Sequence, residues 1–406
     1  MPGAGPYRPD MTDCALEPPP AALPPVEPAT ALPAARLRRW AREAAPPLLL
    51  YGVVCAVQLG LLALLRRPGQ PSVGRLLLSW DGRLLLEVAE HGYPAPGPPL
   101  GAGGAWLGSN LAFFPLFPAL VRAAHELTGL SFGDSALLAS RTAGAVAAVL
   151  LHRLFARLYD RRTALFAVLL VLAQPMAVVL GMAYSEGVLL ACAAGALLAA
   201  HRGAWGPAAL AGALAGLTKP SGFAVGLALL LAAASGPRGR RCRPALPAAL
   251  AACLATPGYL LWVGLRTGRL DGWFRIQRAG WGTELDWGRQ SWDYLVDQLG
   301  GGTGWVDVSV ALLTVAAVGG CLLALGQRPW PPLALYGVLV TALALGQSDY
   351  SSCKPRLLVP GLLFLLPSAV ALGRARARTA WSLAGAAVLA GSWYGGYLLT
   401  IWQAVI

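Results

Sequence analysis

The chain has 406 residues, of which 56% are hydrophobic and only 13% charged, with a formal net charge of +13. A soluble domain carries roughly a quarter of its residues charged, so a water-soluble globular fold is excluded and the packing problem is one of helices in lipid. The 49 glycines and abundant alanines suit close helix approach in that medium.

In chain order, residues 1–35 are rich in Pro and Ala and read as a disordered tail, with no removable signal peptide. Arg36, Arg38, Arg39 and Arg42 precede the first span, 46–65, and place the N-terminus on the cytoplasmic side. A long outer segment, 66–132, leads to spans at 133–152, 163–180 and 187–200. The stretch 205–234 is broken at Thr218-Lys219-Pro220 and reads as two short spans or a re-entrant pair. Further spans are expected at 244–265, 305–325, 331–346, 357–373 and 379–401, with a Trp-rich outer loop at 266–304 and a shorter one at 347–356. The fold class is therefore an all-α polytopic membrane protein of about eleven transmembrane helices. The basic residues mostly sit in short clusters between apolar runs, where they set topology, so nucleic acid is not an expected partner. Seven scattered Cys and four isolated His suggest neither a disulfide framework nor a metal site.

Acid placement is a separate signal. Of the 19 Asp and Glu, five precede the first span. On this topology thirteen of the remaining fourteen fall on outer segments, with Asp160 the exception. Solvation of long loops accounts for Asp293 and Asp297, but less well for acids set against spans.

Five stretches concentrate chemistry. Trp80-Asp81-Gly82 opens a run through Glu87, Glu90 and His91 whose apolar residues share one face, as in an interfacial amphipathic helix. Asp81 is either a functional carboxylate or the N-cap of that helix. Asn110 to Pro118 (NLAFFPLFP) carries two prolines three apart, which preclude a regular helix there, and aromatics suited to an interfacial wedge. Tyr184-Ser185-Glu186 sets a glutamate against a span, again either functional or a helix cap. Thr218-Lys219-Pro220-Ser221-Gly222 puts a lysine at a helix break, suited to a phosphate. The fifth is Asp349, Tyr350, Lys354 and Arg356; Lys219 and Lys354 are the only two lysines among 32 basic residues.

These stretches, read in order as WDG, HGYP, AFFPLFP, YSEG, TKPSG and KPRLLVP, closely resemble the PIG-V family, the second mannosyltransferase of GPI-anchor assembly and its bacterial relatives. The resemblance runs from about residue 36 onward. It implies a GT-C glycosyltransferase fold, a polyprenyl-phosphate mannose donor as substrate with no cofactor, and a lipid, glycan or protein acceptor. It also implies a multi-pass plasma membrane protein whose active site faces outside. Carried over, Asp81 is the catalytic carboxylate of the first outer loop; Gly82 departs from the small polar residue expected after it.

Glycosyl transfer needs a base for the acceptor hydroxyl, assigned to Asp81, and cations facing the leaving phosphate. Lys219, Lys354 and Arg356, with Arg141 near the outer half of its span, are the candidates. Trp80, Tyr184, Glu186 and Asp349 are the candidates for sugar or acceptor contacts. One base attacking in line inverts the anomeric centre, and no metal is demanded where lysine and arginine neutralise the phosphate. A transporter or lipid flippase is the rival class, because broken helices and intramembrane charges serve transport too; a purely structural membrane subunit is the third. An outer cavity joining Asp81, Lys219 and Lys354 favours the transferase, whereas a midplane cavity with two openings favours the transporter.

Overall fold

Lipid offers backbone amides and carbonyls no partner, so each apolar run must satisfy them internally as helix. The computed structural model describes residues 33–97, 110–235 and 244–402. Contacts divide the chain into residues 1–43 and 44–406. Of the first unit, 33–43 are described and are helical; the expected tail otherwise lies outside the described residues, as does the basic segment Arg238 to Arg243.

The helices run α1 (Pro33–Leu65), α2 (Val73–Leu76), α3 (Asp81–His91), α4 (Leu116–Thr128), α5 (Phe132–Leu158) and α6 (Arg161–Leu172). After these come α7 (Glu186–His201), α8 (Trp205–Gly216), α9 (Phe223–Ser235), α10 (Ala245–Thr267), α11 (Gly272–Trp281) and α12 (Arg289–Gly301). The chain closes with α13 (Trp305–Gly326), α14 (Pro331–Leu345), α15 (Lys354–Leu358), α16 (Leu366–Arg374) and α17 (Ala377–Tyr397). Residues Trp40–Leu65, α5, α10 and α13 are long and apolar enough to cross a membrane, and α7, α14 and Pro220–Ser235 are shorter apolar helices. The Trp-rich loop is not structureless: it holds α11 and α12, joined through β1 (Glu284–Leu285), which pairs antiparallel with β2 (Gln347–Ser348). That two-stranded ladder is the one departure from an all-helical plan among the described residues.

Two expected spans are discontinuous. The run 163–180 stops at Leu172, since Pro175 cannot extend the helix, and resumes as a 3₁₀ turn, Ala177–Gly181. The run 357–373 divides between α15 and α16 around Pro360-Gly361. The backbone carbonyls at this second break find side-chain donors: Gln174 Nε2 reaches Val359 O at 3.1 Å and Tyr336 Oη reaches Pro360 O at 3.0 Å. Buried polar partners of this kind make irregular backbone tolerable at membrane depth. A further correction concerns the AFFPLFP motif. Irregular backbone persists only to Pro115; α4 begins at Leu116 and takes Pro118 in its first turn, where the missing N–H would be unsatisfied anyway.

The break at Thr218-Lys219-Pro220 is a true pair of helices, α8 and α9, joined by a 3₁₀ turn at Pro220–Gly222. Gly222 makes the junction possible. A Cβ there would sit 1.9 Å from Ala215 O, so the turn lies directly on the last turn of α8. This tight folding-back fixes the direction in which Lys219 leaves the backbone. Gly222→Ala should therefore destabilise the protein by the roughly 1–3 kcal/mol typical of overpacking. Gly258→Ala, where a Cβ meets nothing within 4 Å, should leave the detergent-solubilised melting temperature near that of the parent protein. Equal melting temperatures for both variants would contradict this account of the junction.

Candidate active site

Separate elements deliver charged side chains to one solvent-open cavity of about 150 Å³. Asp81 comes from the start of α3, Tyr184 and Glu186 from the start of α7, Lys219 from the α8–α9 junction, Asp349 from the segment after α14, and Arg356 from α15.

Asp81 is not the N-cap of α3. The cap position belongs to Trp80, whose side chain makes no capping bond, and the first amides donate instead to backbone: Gly82 N to Ser79 O and Arg83 N to Trp80 O. The Asp81 carboxylate is left for Arg356, whose Nη1 donates to Oδ2 at 2.8 Å. Trp80 adopts φ 53°, ψ −124°, a region that side chains rarely occupy and that costs of order 1–3 kcal/mol. Such a conformation persists only when its surroundings impose it. Here Ala183 N is bonded to Leu77 O at 2.9 Å, tying the residues before α3 to the turn before α7. The rest of α3 behaves as an amphipathic helix: Leu85, Val88 and Ala89 are buried, while Glu87, Glu90 and His91 are exposed. Arg122 on α4 closes its far end by donating to Ala89 O and Glu90 O.

Glu186 likewise is not explained by capping, since Ser185 makes no side-chain cap bond. Its side chain is only 3% exposed and lies between two cations. Lys219 Nζ donates to Oε1 at 2.6 Å, and Arg356 Nε lies 3.8 Å from the same oxygen. Arg356 also stacks over the Tyr184 ring at 5.2 Å. A chain of charges thus runs Asp81–Arg356–Glu186–Lys219.

Lys354 is placed differently from the expectation that it faces a phosphate. It is 1% exposed, does not line the cavity, and stands behind Asp349, with Nζ 3.0 Å from Oδ1. It also donates to Gln347 O at 2.8 Å, tying down the segment that follows α14. Burial pushes the Asp349 carboxyl above the usual carboxylate range, against the downward pull of Lys354. Arg141 is not at the site either. It lines a separate, smaller cavity with Cys55 and Gln58, because its position on α5 faces α1. Trp80 does not line the main cavity; its side chain packs against the hydrophobic core.

The wall that sequence reasoning missed comes from the AFFP stretch and α11: Phe113, Phe114, Trp273, Gln277 and Trp281. The two pieces are joined by hydrogen bonds to backbone carbonyls. Trp273 Nε1 and Gln277 Nε2 donate to Ala112 O at 3.2 and 3.4 Å, and Tyr259 Oη to Phe113 O at 2.7 Å. Tyr93, from the HGYP stretch, also donates to Phe113 O at 2.8 Å. The tryptophan-rich composition of 266–304 was the available signal, but nothing local said which face turns toward Asp81. The β1–β2 ladder and Ser291 Oγ, bonded to Leu345 O at 2.6 Å, attach this wall to the Asp349 segment.

Comparison with known proteins bears on this arrangement. A family profile described as dolichyl-phosphate-mannose-protein mannosyltransferase matches residues 114–262. No curated protein sequence matches the chain. Among solved structures, ArnT from Cupriavidus metallidurans bound to undecaprenyl phosphate is similar, with 19% identity over 83% of this chain and a TM-score of 0.50. Its apo form gives 19% identity over 83% of this chain and a TM-score of 0.51. The chain spans 61% of the length of either ArnT structure. The chain is a polytopic membrane protein with the helical fold of the ArnT structures, the GT-C fold.

The buried pair gives a direct test. Removing one partner of such a pair typically costs about 3–5 kcal/mol, because the other charge is left uncompensated. Lys354→Met should therefore lower the melting temperature sharply, and adding Asp349→Leu should recover much of the loss. A single variant as stable as the parent would contradict the pairing.

Proposed function

We propose that the protein is a membrane glycosyltransferase that moves a mannosyl residue from a polyprenyl-phosphate donor to an acceptor hydroxyl. One observation carries the reading: a carboxylate, Asp81, lines a cavity beside Arg356 and Lys219, so a base and phosphate-binding cations share one space. The match to a mannosyltransferase profile over residues 114–262 supports the same chemistry. The undecaprenyl phosphate held by ArnT supports a lipid-phosphate ligand.

In this mechanism the acceptor oxygen attacks C1 of the sugar while the C1–O bond to phosphate breaks, its electron pair going to the phosphate oxygen. The acceptor proton passes to the Asp81 carboxylate, a step worth roughly 10²- to 10⁴-fold. Attack opposite the leaving group inverts the anomeric centre. Arg356 and Lys219 face the charge that grows on the leaving phosphate. The leaving group needs no general acid, since a phosphate departs as an anion. Glu186 pairs with both cations, and Asp349, which lines the same cavity, is supported from behind by Lys354. The catalytic face lies on the outer side of the plasma membrane, with the N-terminus cytoplasmic. Aromatic faces at Trp273 and Trp281 offer stacking surface to a sugar or lipid headgroup.

Asp81→Asn assayed with polyprenyl-phosphate mannose should lose about 10²-fold or more in transfer rate; a rate near that of the parent would remove Asp81 as the base. Lys219→Gln should raise the donor KM well above that of a control, Arg378→Gln, at an exposed position in the first turn of α17. Equal KM values for the two would argue against the phosphate role of Lys219.

A further inference from the structure

We infer that the Tyr184 hydroxyl is a built hydrogen-bond donor for the phosphate of the lipid ligand; this rests on the transferase reading above and assigns part of its donor site. Tyr184 is 1% exposed and lines the cavity, yet its Oη has no hydrogen-bond partner among the described residues. A buried donor left unmade is expensive, so a native structure keeps one only where something else completes it.

The backbone that carries the ring is held at both its polar groups, and the ring is covered on one face and near one edge. Tyr184 O accepts from Ser140 Oγ at 3.2 Å, and Tyr184 N donates to Met182 O at 2.7 Å. Arg356 lies over one face, and Gly82, at the start of α3, packs near the ring edge. The phenol sits between the charges of Asp81, Arg356 and Glu186, and burial pushes its pKa up, so it stays protonated and can only donate or accept as a neutral group.

Charge counting bears on the ligand. Three carboxylates, Asp81, Glu186 and Asp349, and two cations, Lys219 and Arg356, line the cavity, and each is in an ion pair. Even with Lys354 counted behind Asp349 the formal charges only balance, so an arriving phosphate anion meets no net positive charge. Neutral donors therefore add to the cations, and the buried Tyr184 Oη is one at the cavity whose hydrogen has no partner among the described residues. A sugar hydroxyl could bond the neighbouring carboxylates; an anionic phosphate oxygen cannot, which favours phosphate as the partner of the phenol.

The test is Tyr184→Phe, purified in detergent and titrated with polyprenyl phosphate carrying no sugar, then with polyprenyl-phosphate mannose. The phenylalanine variant should melt at or above the parent temperature without ligand, because an unpaired buried hydroxyl is gone. Its Kd for polyprenyl phosphate should rise by about 10- to 100-fold, the range for a hydrogen bond to a charged group. A lower melting temperature with unchanged Kd would make the hydroxyl structural and overturn the inference. Weakened binding confined to the mannose-bearing lipid would overturn the phosphate assignment in favour of the sugar. If the parent protein itself fails to bind either lipid, the transferase reading fails first, an outcome distinct from a variant-specific one.

Discussion

Arg356 and Asp81 are 275 positions apart in the chain and 2.8 Å apart in space. That contact joins the first long loop to the short helix α15, and the remaining site is arranged around it. Arg356 is nearly buried, so its charge must be answered on several sides: by Asp81, by Glu186 and by the Tyr184 ring. Answering it brings the start of α7 against the start of α3. Glu186, buried in turn, needs a second cation, and Lys219 at the α8–α9 junction supplies it. Burial thus propagates a requirement for charge pairing from one element to the next, and the polar lining of the cavity is the result.

A site built this way is electrostatically tense. Attraction between buried ions offsets their desolvation only when geometry is good, and truncating one partner leaves the other stranded. It is a poor way to gain stability but a good way to hold charges in place before a charged ligand arrives, which catalysis requires. The breaks in helices serve the same end. Between α8 and α9, and again between α15 and α16, the chain gives up regular backbone and recovers the lost hydrogen bonds from Gln174, Tyr336 and Thr218. Each break releases a residue that faces inward, Lys219 at one and Arg356 just before the other.

Much of this was legible in the sequence because it depends on local pattern. The apolar face of 81–91 predicts the amphipathic helix, and Lys-Pro at 219–220 predicts the break. Asp81, Glu186, Lys219 and Asp349 stand out as charges beside spans, and the fold does bring them together. What failed depended on direction. Arg141 and Lys354 have the right chemistry, but one faces α1 and the other stands behind a carboxylate, and neither fact leaves a local trace. The wall from α11 was missed for the same reason. Its residues are held by bonds to carbonyls some 160 positions earlier, so their role exists only once Ala112 and Phe113 are in place. Hydropathy reads 163–180 and 357–373 as continuous spans because it is blind to a proline whose freed carbonyl partners lie in other helices.

A static cavity holding paired charges is common to an enzyme that transfers a sugar and to a carrier that merely moves a lipid. The measurement that separates them is incubation of membranes containing the protein with polyprenyl phosphate bearing radiolabelled mannose, followed by chemical identification of the labelled product. The account predicts that label leaves the acid-labile phosphate linkage and appears in an acceptor through a glycosidic bond. Label that remains on polyprenyl phosphate, even if it crosses the bilayer, would contradict it.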